Sequence, residues 1–119
     1  MLLPSKKLLK EVLKDRFKDV VIDGCVISEK NDNTLKIFMN ICFCYEINIY
    51  ELAHKCKEWA KLKYFIDIDS HSGCARWGAE AVSHNGRPSV FYEQVFIGRT
   101  ETDAIFKACE WIMEQKQND

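Results

Sequence analysis

Apolar positions along the chain keep two rhythms. From Leu35 to Ile47 every second residue is apolar: Leu35, Ile37, Met39, Ile41, Phe43, Tyr45 and Ile47. Successive side chains on a strand point to opposite faces, so this rhythm predicts one long strand with a covered face. The alternate set, Lys36, Phe38, Asn40, Cys42, Cys44 and Glu46, is mixed. Elsewhere the spacing is three or four. Leu8, Leu9, Val12, Leu13 and Phe17, with lysines between them, predict an amphipathic helix over 5–17 behind Pro4. Leu52, Cys56, Trp59 and Lys63, flanked by Ala53 and Ala60, predict a helix over 49–62. Ala104, Ile105, Ala108, Cys109 and Ile112 predict another over 101–116, and Trp59 and Ile112 are the expected core anchors.

Polar residues punctuate these runs. Asn48 with Glu51, and Thr100 with Asp103, have capping-box spacing and open the two long helices. "DVVIDGCVIS" at 19–28 is β-branched and predicts a strand, and "EKNDN" at 29–33 predicts a turn. "KYFIDID" at 63–69 alternates, and "SHSG" at 70–73 turns. Two further strands, "CARWGAEAVS" and "SVFYEQVFIG", flank "HNGRP", and Gly98 ends the sheet. The predicted order is α-β-β-α-β-β-β-α, with no linker or low-complexity segment. The expectation is one α+β domain over 1–119, with a mainly antiparallel sheet of about five strands and both long helices on one face. Within it, 1–47 forms an N-terminal helix and hairpin, and 48–119 an α-β-β-β-α module.

The two long helices share lysine, cysteine, glutamate and tryptophan. They are not a true repeat, since Cys56 lies three residues before Trp59 and Cys109 only two before Trp111. His54 and Cys56 invite a nucleophile or metal reading. Two apart on a helix, they point in different directions, and Cys56 lies on the apolar stripe. Cys42 and Cys44 share a strand face, with Cys25 on the neighbouring strand, yet zinc-site spacing is absent. Asp67 and Asp69 also share a face and read as its wet side. No catalytic residue, metal or cofactor is expected, and the protein is not expected to be an enzyme.

Composition narrows the partners. The 119 residues carry 17 basic and 18 acidic side chains, a formal charge of −1, so no bulk attraction draws the chain to phosphate or anionic lipid. The apolar runs are too short for a membrane span. "MLLPSKKLLKEVLKD" has no secretory pattern, which with the buried-type cysteines predicts a reduced, cytoplasmic protein with no membrane partner. The α-β-β-β-α order matches double-stranded-RNA-binding domains. Those domains want cations at the start of the last helix, where this chain has Glu101 and Asp103. Nucleic acid is therefore the second expectation, behind a protein partner or self-association; no small molecule is indicated.

"INIYELAHKCKEWA" and "TETDAIFKACEWIMEQ", with the opening "LPSKKLLKEVL", resemble small uncharacterised proteins of bacterial phages and prophages. The last helix is also similar to small phage domains described as α-β-α sandwiches. The resemblance spans most of the chain except about 64–98 and implies an accessory protein of the bacterial cytoplasm encoded by a mobile element; the leading expectation is a non-enzymatic protein that binds another protein, with host takeover or counter-defence as its use. The resemblance carries over no functional residue.

The open sheet face is the expected partner surface. A two-residue Asn85–Gly86 turn would put Pro88 in the ladder and Trp77 beside Gln94. A five-residue loop over 84–88 keeps Pro88 out and pairs Trp77 with Val95 and Ala81 with Phe91. The opposite face then carries Arg76, Glu80, Tyr92, Gln94 and Phe96, a mix of aromatic, polar and arginine groups that suits recognition. The alternative is that the first helix covers that face.

Overall fold

Asn48 and Thr100 begin the two long helices as their spacing requires. Asn48 Oδ1 accepts from the N–H groups of Tyr50 and Glu51 at 2.9 and 3.3 Å. Thr100 Oγ1 accepts from Asp103 N–H at 3.2 Å. The computed structural model describes residues 3–14, 25–31, 33–38, 44–73, 76–83 and 93–117. Its elements are α1 (Lys6–Val12), β1 (Val26–Asn31), β2 (Thr34–Phe38), β3 (Cys44–Asn48), α2 (Ile49–Tyr64), β4 (Ile66–Gly73), β5 (Arg76–Ser83), β6 (Glu93–Gly98) and α3 (Glu101–Gln117). All described strand pairs are antiparallel, in two three-stranded sheets, β1-β2-β3 and β4-β5-β6. The fold is a single compact α+β domain in the expected order, with the long second strand folded in two.

That fold-back corrects the one-strand expectation. Leu35 opposes Ile47 and Ile37 opposes Tyr45, so β2 and β3 form a hairpin around 39–43, which lie outside the described residues. Opposed residues share a face. Odd-numbered positions of β2 and β3 therefore lie on one side, and the period of two holds in both strands. Leu35, Ile37 and Ile47 are buried and Tyr45 partly so.

Other boundaries move for local reasons. β1 runs into the predicted turn, and Asn31 Oδ1 accepts from Asn33 N–H at 2.9 Å to tighten the link to β2. The 19–24 part of the first predicted strand lies outside the described residues, as does the 15–17 end of the first helix. α1 stops at Val12 with Leu13 as its cap. α2 runs two residues past its predicted end and closes on Phe65, whose left-handed φ of 58° lets its N–H reach the carbonyls of Ala60 and Lys61. β4 runs through "SHSG", so the predicted turn is strand as far as Gly73, which opposes Arg76; 74–75 lie outside the described residues.

The chain runs β-β-β-α twice, β1 to α2 and β4 to α3. Counted from the caps, Asn48 and Thr100 coincide, as do Glu51 and Asp103, Lys55 and Lys107, Glu58 and Glu110, and Trp59 and Trp111. Only the cysteines are offset, by one position, so alignment on cysteine hid the correspondence. α3 lies at the centre. Thr102 through Phe106, Ala108, Cys109, Ile112 and Met113 are all buried, against α1, α2 and all three strands of its own sheet. Small side chains, Ala53, Cys56 and Ala60 on α2 and Ala104, Ala108 and Cys109 on α3, are all fully or nearly fully buried. Such residues leave room for two backbones to approach closely.

α1 does not cover the C-terminal sheet. It packs on α2 and α3. Ser5 N–H and Oγ donate to the two carboxylate oxygens of Glu110, at 2.7 and 2.9 Å. The same Ser5 Oγ accepts from Leu8 N–H and caps α1. A second tie runs from Lys63 of α2 to Glu11 of α1 at 2.8 Å.

The β5–β6 register corrects the predicted one. Trp77 opposes Gly98, not Val95, and Ala79 opposes Phe96. Packing on α3, rather than turn chemistry, accounts for the choice. A Cβ on Gly98 would stand 2.6 Å from Ala104 N and 2.8 Å from Asp103 Cβ, so only glycine admits this approach. Phe96 lies 5.6 Å from Trp111, centroid to centroid. Gly98→Ala is expected to destabilise the protein by about 1–3 kcal/mol, because the clashing atom is backbone and cannot swing away. Thermal melting checks this; an unchanged midpoint would refute the close approach.

Candidate functional site

Chemistry-bearing groups gather in four places. The first is the cysteine pair at the α2–α3 contact. Cys56 and Cys109 are fully buried. The hydrogen-bonded Cys56 sulfur, and burial, push the Cys109 thiol well above its usual range. A nucleophile needs the opposite shift. His54 stands on the exposed side of α2, 3.1 Å from Glu58, and is not gathered with Cys56. Cys25 is buried and Cys44 exposed, and no group of three or more His, Cys, Asp or Glu among the described residues can hold a metal ion. A thiol-reactive dye is therefore expected to leave Cys56 and Cys109 unlabelled in the native protein and to label both in denaturant. Mass spectrometry of digested samples reads this directly, and rapid native labelling of either would overturn it.

The second is a polar chain across three elements. Lys57 Nζ of α2 donates to Ser70 Oγ of β4 at 3.4 Å, and Ser70 Oγ donates to Glu101 Oε1 of α3 at 2.6 Å. Serine, lysine and a helix start suggest hydrolytic chemistry. The serine proton is committed to a carboxylate, and the lysine contact is long. The arrangement joins the two β-β-β-α halves. It also occupies Glu101 at the helix start, where an RNA-binding domain would present cations.

The third is the outer face of the C-terminal sheet, where the five residues Arg76, Glu80, Tyr92, Gln94 and Phe96 were expected together. The register separates them. Glu80 opposes Val95, and Arg76 shares that face, whereas Phe96 opposes Ala79 and Gln94 opposes Ala81 on the other face. Phe96 packs against the core. Tyr92 lies outside the described residues. Val95 and Ile97, which were not singled out, are 58% and 51% exposed on the side of Glu80. Lys107 Nζ donates to Ile97 carbonyl oxygen at 2.7 Å beside them. Asp69 opposes Glu80 on this face, directly across the ladder.

The fourth was not anticipated: the C-terminal end of α2. Leu62 is 79% and Phe65 59% exposed. Leu62 stands between two clefts. One, of about 450 Å³, lies between α1 and α2, with Val12, Trp59 and Leu62 as apolar wall and Glu11, Lys14 and Lys55 among its polar lining. The other, of about 650 Å³, lies between α2 and β4, with Lys57, Lys61, Asp67 and Asp69. Trp59 is 9% exposed, its ring edge-on to Tyr64 at 5.4 Å. Its indole Nε1 is buried and makes no hydrogen bond. A sequence signal existed: Leu62 is apolar yet falls off the stripe of Leu52, Cys56 and Trp59, among lysines.

No family model, no curated protein and no solved structure matches the chain.

Electrostatics at the fourth place centres on Glu11. The hydrogen bond from Lys63 holds its carboxyl below the ordinary 4.5, helped by the charges of Lys63 and Lys14 and by the nearby Trp59 N–H; partial burial opposes them. Glu11 in turn raises Lys63 above its ordinary 10.5. A lowered carboxylate stabilises the fold above its unfolded pKa and is lost as pH falls through the folded one; a raised lysine stabilises below its unfolded pKa and is lost as pH rises. The side chains are 47% and 39% exposed, so solvent screens the pair to about 0.2–1 kcal/mol. A double-mutant cycle with Glu11→Gln and Lys63→Met is expected to give that coupling at neutral pH. It should fade in acid as pH falls through the lowered folded pKa of Glu11, beneath the ordinary 4.5, and in base as pH rises through the raised folded pKa of Lys63, above the ordinary 10.5; coupling that persists in strong acid would exclude the ion pair.

Proposed function

We propose that the protein is a non-enzymatic accessory module that binds another protein through the C-terminal end of α2. The observation that carries this reading is Leu62, 79% exposed between two clefts on an otherwise polar helix face. A single exposed leucine is ordinary on a protein surface. Here a second apolar side chain, Phe65, stands three residues away, with the Trp59 ring in the cleft wall. Binding energy at interfaces concentrates in such anchors when concave surface surrounds them. Val95 and Ile97 offer a second, flatter apolar surface. The resemblance to phage and prophage proteins supports a bacterial cytoplasmic setting, with host takeover or counter-defence as the use. No helix among the described residues is long and apolar enough to cross a membrane.

A nucleic-acid reading draws on the α2-β4-β5-β6-α3 order. Against it stand Glu101 and Asp103 in the first turn of α3 and the charge of −1 on the whole chain.

The test is affinity capture from prophage-induced cells with wild type and Leu62→Arg, partners identified by mass spectrometry and remeasured in purified form. Leu62→Arg is expected to keep the melting temperature, since the side chain is exposed, and to weaken the purified complex at least about tenfold, as for an interface anchor. An unchanged affinity would refute the reading.

A further inference from the structure

The cleft between α1 and α2 has the makings of a carboxylate receptor. Its polar lining holds Lys14, Lys55 and Lys63 against Glu11 and Glu58. Two of these five are already committed, Lys63 and Glu11 to one another at 2.8 Å. Glu58 lies 3.1 Å from His54. Among the described residues Lys14 and Lys55 have neither a hydrogen bond nor an ion pair, so the uncommitted charge in the cleft is positive. A buried donor without an acceptor adds to this. Trp59 Nε1 is shielded from solvent and makes no hydrogen bond of ordinary geometry, and its N–H acts on the neighbouring Glu11 carboxyl, holding it lower. Buried indole N–H groups nearly always find an acceptor, since leaving one unmade is costly. Val12 and Leu62 supply apolar wall on either side.

We infer that this cleft takes an acidic segment of a protein partner: a carboxylate received by the Trp59 indole N–H and the Lys14 and Lys55 ammonium groups, beside an apolar side chain laid on Leu62 and Val12. The inference rests on the protein-binding reading of the same helix end and specifies the partner's chemistry. Charge complementarity selects the occupant. A basic segment would meet two free ammonium groups. A second copy docked symmetrically through this face would bring the same lysines against them. A nucleic-acid backbone would run a row of phosphates past Glu11 and Glu58, and past Asp67 and Asp69 in the neighbouring cleft, whereas a single carboxylate fits between them. Charge-assisted hydrogen bonds to a carboxylate are about twice as strong as neutral ones, which makes the lysines and the indole a selective set.

The experiment uses the full chain labelled with nitrogen-15, with the indole N–H resonance of Trp59 assigned by its loss in Trp59→Phe. The probes are 3-phenylpropionate, its uncharged amide, a capped peptide of alternating aspartate and leucine, its asparagine counterpart, and a double-stranded RNA oligomer. The acid and the acidic peptide are expected to move the Trp59 resonance saturably and the amide and asparagine peptide not to. Lys55→Glu should weaken the acidic peptide about tenfold or more, the loss of one charge-assisted contact plus a repulsion. No movement with either acid, or equal movement with the uncharged analogues, overturns the inference. So does RNA that moves the resonance and competes with the peptide, in favour of a phosphate ligand. The protein-binding reading is scored separately, by Leu62→Arg and the captured partner. A partner lost with Leu62→Arg while carboxylates leave Trp59 unmoved sinks the inference alone; a partner retained by Leu62→Arg sinks the reading beneath it.

Discussion

The structure depends on the burial of one helix. α3 is enclosed by its own three strands, by α2 and by α1, and Phe106 within it is among the largest fully buried side chains. An isolated helix of 17 residues is marginal in water, so packing rather than propensity holds it. β4, β5, β6, α2 and α1 each supply one wall. β6 can lie close only because Gly98 has no side chain, α2 because its facing residues are small, and α1 because a serine can reach Glu110. A change in α3 is thus felt in all the elements around it, whereas a change in the β1-β2-β3 sheet is felt first by its own neighbours.

Two β-β-β-α units share this arrangement and divide the work unequally. Equivalent positions along α2 and α3 serve different ends. Glu110 receives α1, while its counterpart Glu58 faces solvent beside His54. Trp111 stacks near Phe96 of the sheet, while Trp59 packs on Tyr64 and lines a cleft. α3 has become the central helix and α2 the outer one, which leaves α2 a free face. The candidate docking end of α2 follows from that inequality. Among the described residues α3 is packed against five elements, and no third unit covers the outer side of α2.

Sequence reasoning reached what local physics decides. Caps at Asn48 and Thr100, the stripe of α2 and that of α3 appear where residue spacing puts them, because a helix stripe and an Asn or Thr cap are set within a few residues. It failed where parity alone was informative. A period of two from Leu35 to Ile47 fits one strand or a hairpin equally well when the reversal keeps odd residues on one face. The β5–β6 register failed for a related reason. Turn chemistry in "HNGRP" was weighed, but contacts between Gly98 and Ala104 and between Phe96 and Trp111 set the register, and no reading of a loop contains them. The predicted site inherited that error, so Glu80 and Phe96, expected side by side, occupy opposite faces. Leu62 was legible and unread, an apolar residue off its stripe.

The clamp between Ser5 and Glu110 joins positions 105 residues apart. On a ribosome Ser5 is made 105 residues before Glu110. At about 5–20 residues per second, α1 is complete roughly 5–20 s before the carboxylate that fixes its first turn exists. A seven-residue helix does not persist alone in that interval. The apolar face of Leu8, Leu9 and Leu13 can meet α2 earlier, but the part of its seat that α3 supplies, with Glu110, is still missing. α1 thus gains its full seat only once α3 is made, and a chain cut short before residue 110 leaves α1 without its clamp.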